Sequence, residues 1–266
     1  MTAFGFIGTG HLGSMLVRQF VQTGAIEAEE ILVSNRTPEK AERLALALGI
    51  RPSSNRVVAE LSDVIFICVR PLEVRHVLSD VAHLLDSGKL LVSAAADVSL
   101  EILQSLCQAR LARAFPSMAC QKRQGVTLLA FGDNATREDC RLVEGLFQAI
   151  GRSVEVEEKD FAVLADLTSS GPGYLAALMR EFALAAEREG IAAELAESLI
   201  KQTLLGTALL LEEESFAGLI ESVATKGGIT QAGVKVIRRE APGMFDQLFS
   251  ATQERHEQVK RKIEEQ

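Results

Sequence analysis

The chain of 266 residues has no tryptophan and a single tyrosine, which argues against an aromatic platform for single-stranded nucleic acid. It has no basic surplus either. Its net charge of −8 disfavours a partner bound through a phosphate backbone. No uninterrupted apolar run reaches membrane length. The first apolar run is too short for a secretory leader and has no basic segment before it, so a cytoplasmic protein is expected. Cysteine is sparse. Cys68, Cys107, Cys120 and Cys140 lie far apart with no C-x-x-C pair, which fits reduced thiols rather than a disulfide framework or a zinc knuckle. The four histidines show no ligand spacing, so no metal site is expected. What is abundant is apolar side chain, 47% of the residues, enough for one large core or two modest ones.

The most informative stretch is the first. Ala3 to Ile7 reads as a short apolar strand and runs directly into Gly8-Thr9-Gly10-His11-Leu12-Gly13. Apolar residues then recur at helical spacing through Leu12, Met15, Leu16 and Phe20. Strand, G-x-G-x-x-G and helix in that order form the dinucleotide fingerprint. Gly8 allows the tight turn, Gly10 admits a pyrophosphate to the backbone, and Gly13 lets helix and strand pack closely. The helix N-terminus supplies unpaired N–H groups and a positive dipole end.

The second strand, Ile31 to Ser34, ends in Asn35-Arg36-Thr37-Pro38. An NAD site usually carries an acid here for the ribose 2′-hydroxyl. This chain has none. Arg36 instead offers a guanidinium suited to a 2′-phosphate, with Asn35 as a neutral donor beside it, so the expected cofactor is NADP(H). Thr37-Pro38 also suits the start of a helix. Further strands are expected at 64–69, 90–93, 111–114, 126–130 and 153–156, alternating with helices. That alternation predicts a mostly parallel sheet whose ligand lies beyond the carboxyl ends of its strands. The small residues Ala94, Ala95 and Ala96 at one such end leave space for a bound ring.

Beyond Glu157 no strand pattern recurs. Helices are expected at 174–189, 195–213, 216–224, 232–239 and from Phe245 onward. The fold class is therefore α/β, with an N-terminal Rossmann dinucleotide-binding domain over residues 1–157 and an all-helical domain over 158–266. The helix at 195–211 is apolar around much of its circumference, which places it either at the centre of a bundle or, as roughly a hundred residues favour, against a second copy of the chain. Two loops in this half are candidates for chemistry, set against plain readings as a helix N-cap cluster and a helix-breaking turn. Thr168-Ser169-Ser170-Gly171-Pro172 gathers hydroxyls at a helix start. Thr225-Lys226-Gly227-Gly228 precedes another helix and could present successive N–H groups to an anion.

With these residues in view, the chain resembles the pyrroline-5-carboxylate reductase family over nearly its full length. The motifs that carry the resemblance are Phe6 to Gly13, Ser54-Asn55, Val69-Arg70-Pro71, Ser170-Gly171-Pro172-x-Tyr174 and Gly227-Gly228-Ile229-Thr230. The resemblance implies an NADP-binding domain, a helical domain that interlocks with its twin in a homodimer or higher homo-oligomer, and hydride transfer to a small carboxylate-bearing cyclic imine, giving proline. Carried over by position, it implies that Ile7, Gly8, Thr9, Gly10, His11 and Leu12 hold the pyrophosphate. Asn55, Val69, Arg70 and Pro71 would contact the ribose side, and Ala94 to Ala96 would lie near the nicotinamide. Gly227, Gly228 and Thr230 would bind the substrate, the Thr230 hydroxyl assisting as the imine gains its proton, with Glu213 nearby.

The departures are specific. The family usually reads Met-Pro-Asn-Thr-Pro where this chain has Phe115-Pro116-Ser117-Met118-Ala119, and Ser-Pro-Gly-Gly where it has Thr225-Lys226-Gly227-Gly228. Arg70 stands for the usual lysine. These features resemble the divergent branch found with late competence proteins, and imply as an alternative a cofactor-binding relative without this catalysis.

Overall fold

The computed structural model describes residues 2–265. Its sheet has eight strands: β1 (Phe4–Ile7), β2 (Ile31–Ser34), β3 (Arg51–Pro52), β4 (Val64–Ile67), β5 (Leu90–Ser93), β6 (Arg110–Pro116), β7 (Gly125–Phe131) and β8 (Gly151–Glu155). Their spatial order is β3-β2-β1-β4-β5-β6-β7-β8, and every neighbouring pair is parallel except the antiparallel β6–β7. The helices α1 (His11–Thr23), α2 (Pro38–Leu48), α3 (Asn55–Leu61), α4 (Val74–Val81), α5 (Leu100–Leu106), α6 (Arg137–Gln148) and α7 (Phe161–Thr168) connect or follow these strands.

A strand covered on both faces feeds two cores by alternation. β4 does this: Val64 and Phe66 enter one apolar cluster, Ile65 and Ile67 the other. The first cluster is aromatic at its centre. Phe6 stacks on Phe66 with ring centroids 4.6 Å apart, and Phe20 meets Phe147 edge-on at 5.6 Å. The second is aliphatic and includes Leu78, Leu91, Val98, Leu111 and Ile263. The N-terminus of α6 is fixed by a capping box between Thr136 and Asp139, and Asp139 also takes two hydrogen bonds from Arg110, at 2.7 and 3.1 Å.

The helices α8 (Gly171–Arg188), α9 (Ala193–Leu210), α10 (Phe216–Val223) and α11 (Ile229–Glu264) complete the chain. Two compact units result: one runs up to Gly171 and resumes at Gln253, the other spans Pro172–Thr252. The first unit thus extends past residue 157, where the change from strands to helices occurs. The reason is α7, whose Phe161 and Ala165 pack on Leu128 and Ala130 of β7.

The structure departs from the sequence reading in two further ways. Helices expected at 232–239 and from Phe245 are one helix, α11, with Pro242 inside it. A proline removes one N–H and crowds the preceding turn, but does not oblige a long helix to end. β3, only two residues long, was not foreseen. In the second unit, only Ala183 and Ala196 among the apolar residues are buried. No helix among the described residues is long and apolar enough to cross a membrane.

Candidate functional site

The register of the parallel strands builds the site. Ile7 pairs with Ser34 on one side and Ile67 on the other, and Ile67 pairs with Ser93. β1, β2, β4 and β5 therefore end level, and the residues that follow them meet. Gly8, Asn35 to Thr37, Cys68 to Pro71 and Ala94 to Ala96 line one crevice of about 630 Å³, with Ile7, Gly10, His11, Leu12, Asn55, Glu73 and Phe115. Such a volume is in the range of small-molecule and cofactor sites.

Gly8 and Gly13 of the fingerprint each have their own physical reason. Gly8 sits at φ +102°, a left-handed conformation, and a Cβ there would lie 2.7 Å from the Cys68 carbonyl oxygen. A Cβ on Gly13 would lie 2.0 Å from the Gly8 carbonyl oxygen, so α1 touches the turn that follows β1. Gly10 has nothing within 4 Å of its would-be Cβ. No packing demand of the surrounding described residues calls for a glycine there. Gly10 also caps α1 with no side-chain hydrogen bond and no acid in the first turn, which leaves the first N–H groups for an anion.

The Thr9 hydroxyl is buried without a partner, and the Thr9 N–H donates to Asn35 Oδ1 at 3.3 Å. Of the residues expected to hold the cofactor, Thr9 alone lies off the main crevice. It lines an adjoining hollow with Gly10, His11, Ser14, Arg18, Lys40 and Arg43. An orphaned hydroxyl, an open glycine and an uncapped helix start suit a pyrophosphate.

The mouth of the crevice holds a feature the sequence did not suggest. Glu73 Oε1 accepts from Arg36 Nη1 at 2.7 Å and from Arg70 Nη2 at 2.9 Å. The Arg70 guanidinium bonded to it holds the Glu73 carboxyl below its ordinary range. Both arginines are largely exposed. Cys68, against the crevice floor, has its thiol pushed up to about 12 by burial, so it is no nucleophile at neutral pH.

A second cavity of about 340 Å³ shares Ala96 and Phe115 with the crevice. Its wall holds Arg113, which is buried, donates to Glu158 Oε1 at 2.7 Å, and has its guanidinium 4.4 Å from the Phe161 ring centroid. Burial lowers Arg113, while Glu158 opposes that shift. Also in the wall, His256 Nδ1 lies 2.6 Å from Asp97 Oδ1. Neither Arg113 nor this pair was marked from the sequence, because strand pattern and helix pattern alone do not say which charged residues turn inward. Ser117, in the altered Phe115-to-Ala119 stretch, is buried and shapes the β6–β7 connection: its Oγ accepts from the Ala119 N–H at 3.3 Å.

The residues expected at the substrate lie in the second unit. Gly227 has φ +77°, and its N–H donates to Gln231 Oε1 at 2.9 Å. The Gly228 N–H donates to the Thr225 carbonyl oxygen, also at 2.9 Å. The glycine amides are thus engaged within the turn, contrary to their expected role as free anion donors. The first turn of α11, which contains Thr230, carries the N–H groups a helix start leaves without intrahelical partners. Glu213 is exposed just beyond α9.

Comparison with known proteins bears on these sites. A family model described as pyrroline-5-carboxylate reductase dimerisation matches residues 158–259. One described as NADP oxidoreductase, coenzyme F420-dependent, matches residues 3–97. The chain is 31% identical to pyrroline-5-carboxylate reductase 3 of Bacillus subtilis, with 100% of both chains covered. It belongs to the pyrroline-5-carboxylate reductase family. It is also 30% identical to ComE operon protein 4 of Bacillus subtilis, over 96% of this chain and 95% of that one. Among solved structures, a pyrroline-5-carboxylate reductase from Coxiella burnetii matches with a TM-score of 0.89 at 27% identity, covering 97% of this chain and 98% of the other. The Rossmann-type sheet followed by a helical dimerisation domain is the family's architecture.

Proposed function

We propose that this protein is an NADPH-dependent reductase of a small carboxylate-bearing cyclic imine, of the type that converts pyrroline-5-carboxylate to proline. The observation that carries this reading is the crevice at the level strand ends, with Arg36 and no acid at the end of β2. Full-length similarity to a pyrroline-5-carboxylate reductase supports it.

Bound NADPH supplies the hydride, and the protein's part is to hold and orient. Ile7, Gly8, Thr9, Gly10, His11 and Leu12 would hold the pyrophosphate, with the unpaired Thr9 hydroxyl as one hydrogen-bonding group. Arg36 and Asn35 take the 2′-phosphate. Asn55, Val69, Arg70 and Pro71 border the ribose side, and Ala94, Ala95 and Ala96 leave room for the nicotinamide ring. In the helical half, the substrate carboxylate is held at the Gly227-Gly228 turn by amides of the first turn of α11. The Thr230 hydroxyl is the group placed to assist protonation at the ring nitrogen, and Glu213 contacts the substrate. The active species is a homodimer or larger homo-oligomer joined through its C-terminal helices. That assignment makes residues 1–157 the cofactor domain and 158–266 the substrate and dimerisation domain, in a cytoplasmic enzyme.

The test is NADPH oxidation with pyrroline-5-carboxylate and related cyclic imines. Turnover on at least one is expected. The similarity to ComE operon protein 4 and the altered Phe115-to-Ala119 stretch favour a second reading, a competence-associated cofactor binder. Tight NADPH binding with silence across the imine panel would select it.

A further inference from the structure

Asp97 is one of only two non-glycine residues with positive φ among the described residues, at +60°. It directly follows Ala94 to Ala96, which line the crevice just beyond β5. An L-residue pays a steric penalty in the left-handed region, and an aspartate enters it most readily when its carboxylate is engaged. Here the engagement is specific. His256, from α11, puts Nδ1 2.6 Å from Asp97 Oδ1, and both side chains are mostly buried, at 9% and 20% exposure for Asp97 and His256. The other ring nitrogen faces a second buried carboxylate, with His256 Nε2 3.9 Å from Asp166 Oδ1. The partners in the closer pair are 159 residues apart in sequence.

The surroundings show what this contact holds. Val98 is fully buried, the Ser99 side chain caps α5, and the Leu100 N–H donates to Glu158 Oε1 at 2.8 Å. The turn is therefore fixed on its C-terminal side. On its N-terminal side the Ala94 N–H is bonded to the Ile67 carbonyl oxygen at 2.9 Å. Between those anchors, the Asp97 carboxylate is held by its 2.6 Å contact with His256 Nδ1.

We propose that Asp97 and His256, with Asp166 behind the imidazole, are positioning residues that hold Asp97 in the left-handed conformation and so fix the Ala94-to-Asp97 turn that lines the crevice beside the nicotinamide. The nicotinamide part of this statement depends on the functional reading above; the conformational part does not.

Glycine adopts φ +60° unaided, so it separates the tether from the shape. The measurement is hydrogen exchange over residues 94–99 by mass spectrometry, beside NADPH affinity and steady-state kinetics. His256→Ala should speed exchange in this segment by about tenfold, and Asp97→Gly added to it should bring exchange back to within about twofold of the parent. Asp97→Ala alone, which keeps the Cβ but loses the carboxylate, should behave like His256→Ala, whereas Asp97→Gly alone should not. These two single variants decide the matter even if His256→Ala does not fold. In turnover, His256→Ala should lower kcat with little change in imine KM, and the added Asp97→Gly should recover it. Parent-like exchange in both His256→Ala and Asp97→Ala, or failure of Asp97→Gly to restore it, would overturn the proposal. Absence of NADPH binding by the parent protein would remove the functional reading, and the exchange pattern alone would then decide whether the tether holds the turn.

Discussion

The two compact units handle their apolar residues in opposite ways. In the sheet unit the large side chains are inside, and the few exposed ones, such as Leu46, Leu61 and Leu167, are scattered over α2, α3 and α7. In the helical unit nearly all the large ones are outside: Leu195, Leu199, Leu205, Leu209 and Leu210 on α9, Phe182 on α8, Phe216 on α10 and Ile237 on α11 are all more than half exposed. A sheet covered on both faces completes its own core. Helices with so much apolar surface do not, and scattered exposure cannot explain a helix that is apolar around much of its circumference. The same chain thus contains one unit that is finished and one, matched by a dimerisation family model, whose apolar surface is left open.

Breaking the unfinished unit should have the largest effect. Leu205→Glu with Leu209→Glu, one helical turn apart, should weaken self-association by at least about 100-fold in light scattering behind size exclusion. Imine reduction should fall with it, while NADPH binding by the sheet unit stays near the parent value. Breaking the finished unit is next. Gly13→Ala forces a Cβ to 2.0 Å from the Gly8 carbonyl oxygen, and backbone cannot step aside as a side chain can. A loss of roughly 1–3 kcal/mol in thermal or denaturant unfolding is expected, with loss of NADPH affinity.

A third test probes the crevice mouth. Arg36→Ala should weaken NADPH binding about 10- to 100-fold and leave NADH nearly unchanged, as loss of a charge-assisted contact predicts. Glu73→Gln should act the opposite way, tightening NADPH about threefold by freeing both arginines. Acid should act more modestly, and on the sheet unit. Burial alone would raise Asp139, but its bonds from Arg110 and Thr136 outweigh burial and hold the carboxyl below its ordinary value. A lowered folded-state value means its stabilisation is full above the ordinary carboxylate range and is lost as the pH falls through the folded value. Asp139→Asn should flatten the acid limb of a stability–pH curve. The smallest effect concerns Cys68, whose thiol at about 12 should resist iodoacetamide at pH 8 while the protein stays folded.

The sheet unit was largely legible because its signals are local. Val64 to Ile67 is apolar throughout, as a strand feeding two cores must be, and Gly8 and Gly13 of the fingerprint each meet a separate steric demand. The antiparallel β6–β7 pair was not legible, since alternation gives a strand's faces but not its direction. Pro242 misled because its cost is local, whereas a 36-residue helix is set by its whole length. At the Gly227-Gly228 turn, composition suggested free amides, but Gln231 and Thr225 already accept their hydrogens. Asp97 and His256 carry no motif at all; only folding brings them together.

The carboxylate between the two arginines has a consequence for how a charged ligand is captured. The crevice mouth carries its own counter-ion, so a phosphate arriving there trades places with an anion and does not fill a bare positive hole. Added salt screens an exposed attraction and the attraction it replaces to a similar degree. Cofactor affinity in this protein should therefore vary only gently with ionic strength, and most steeply once Glu73 has lost its charge.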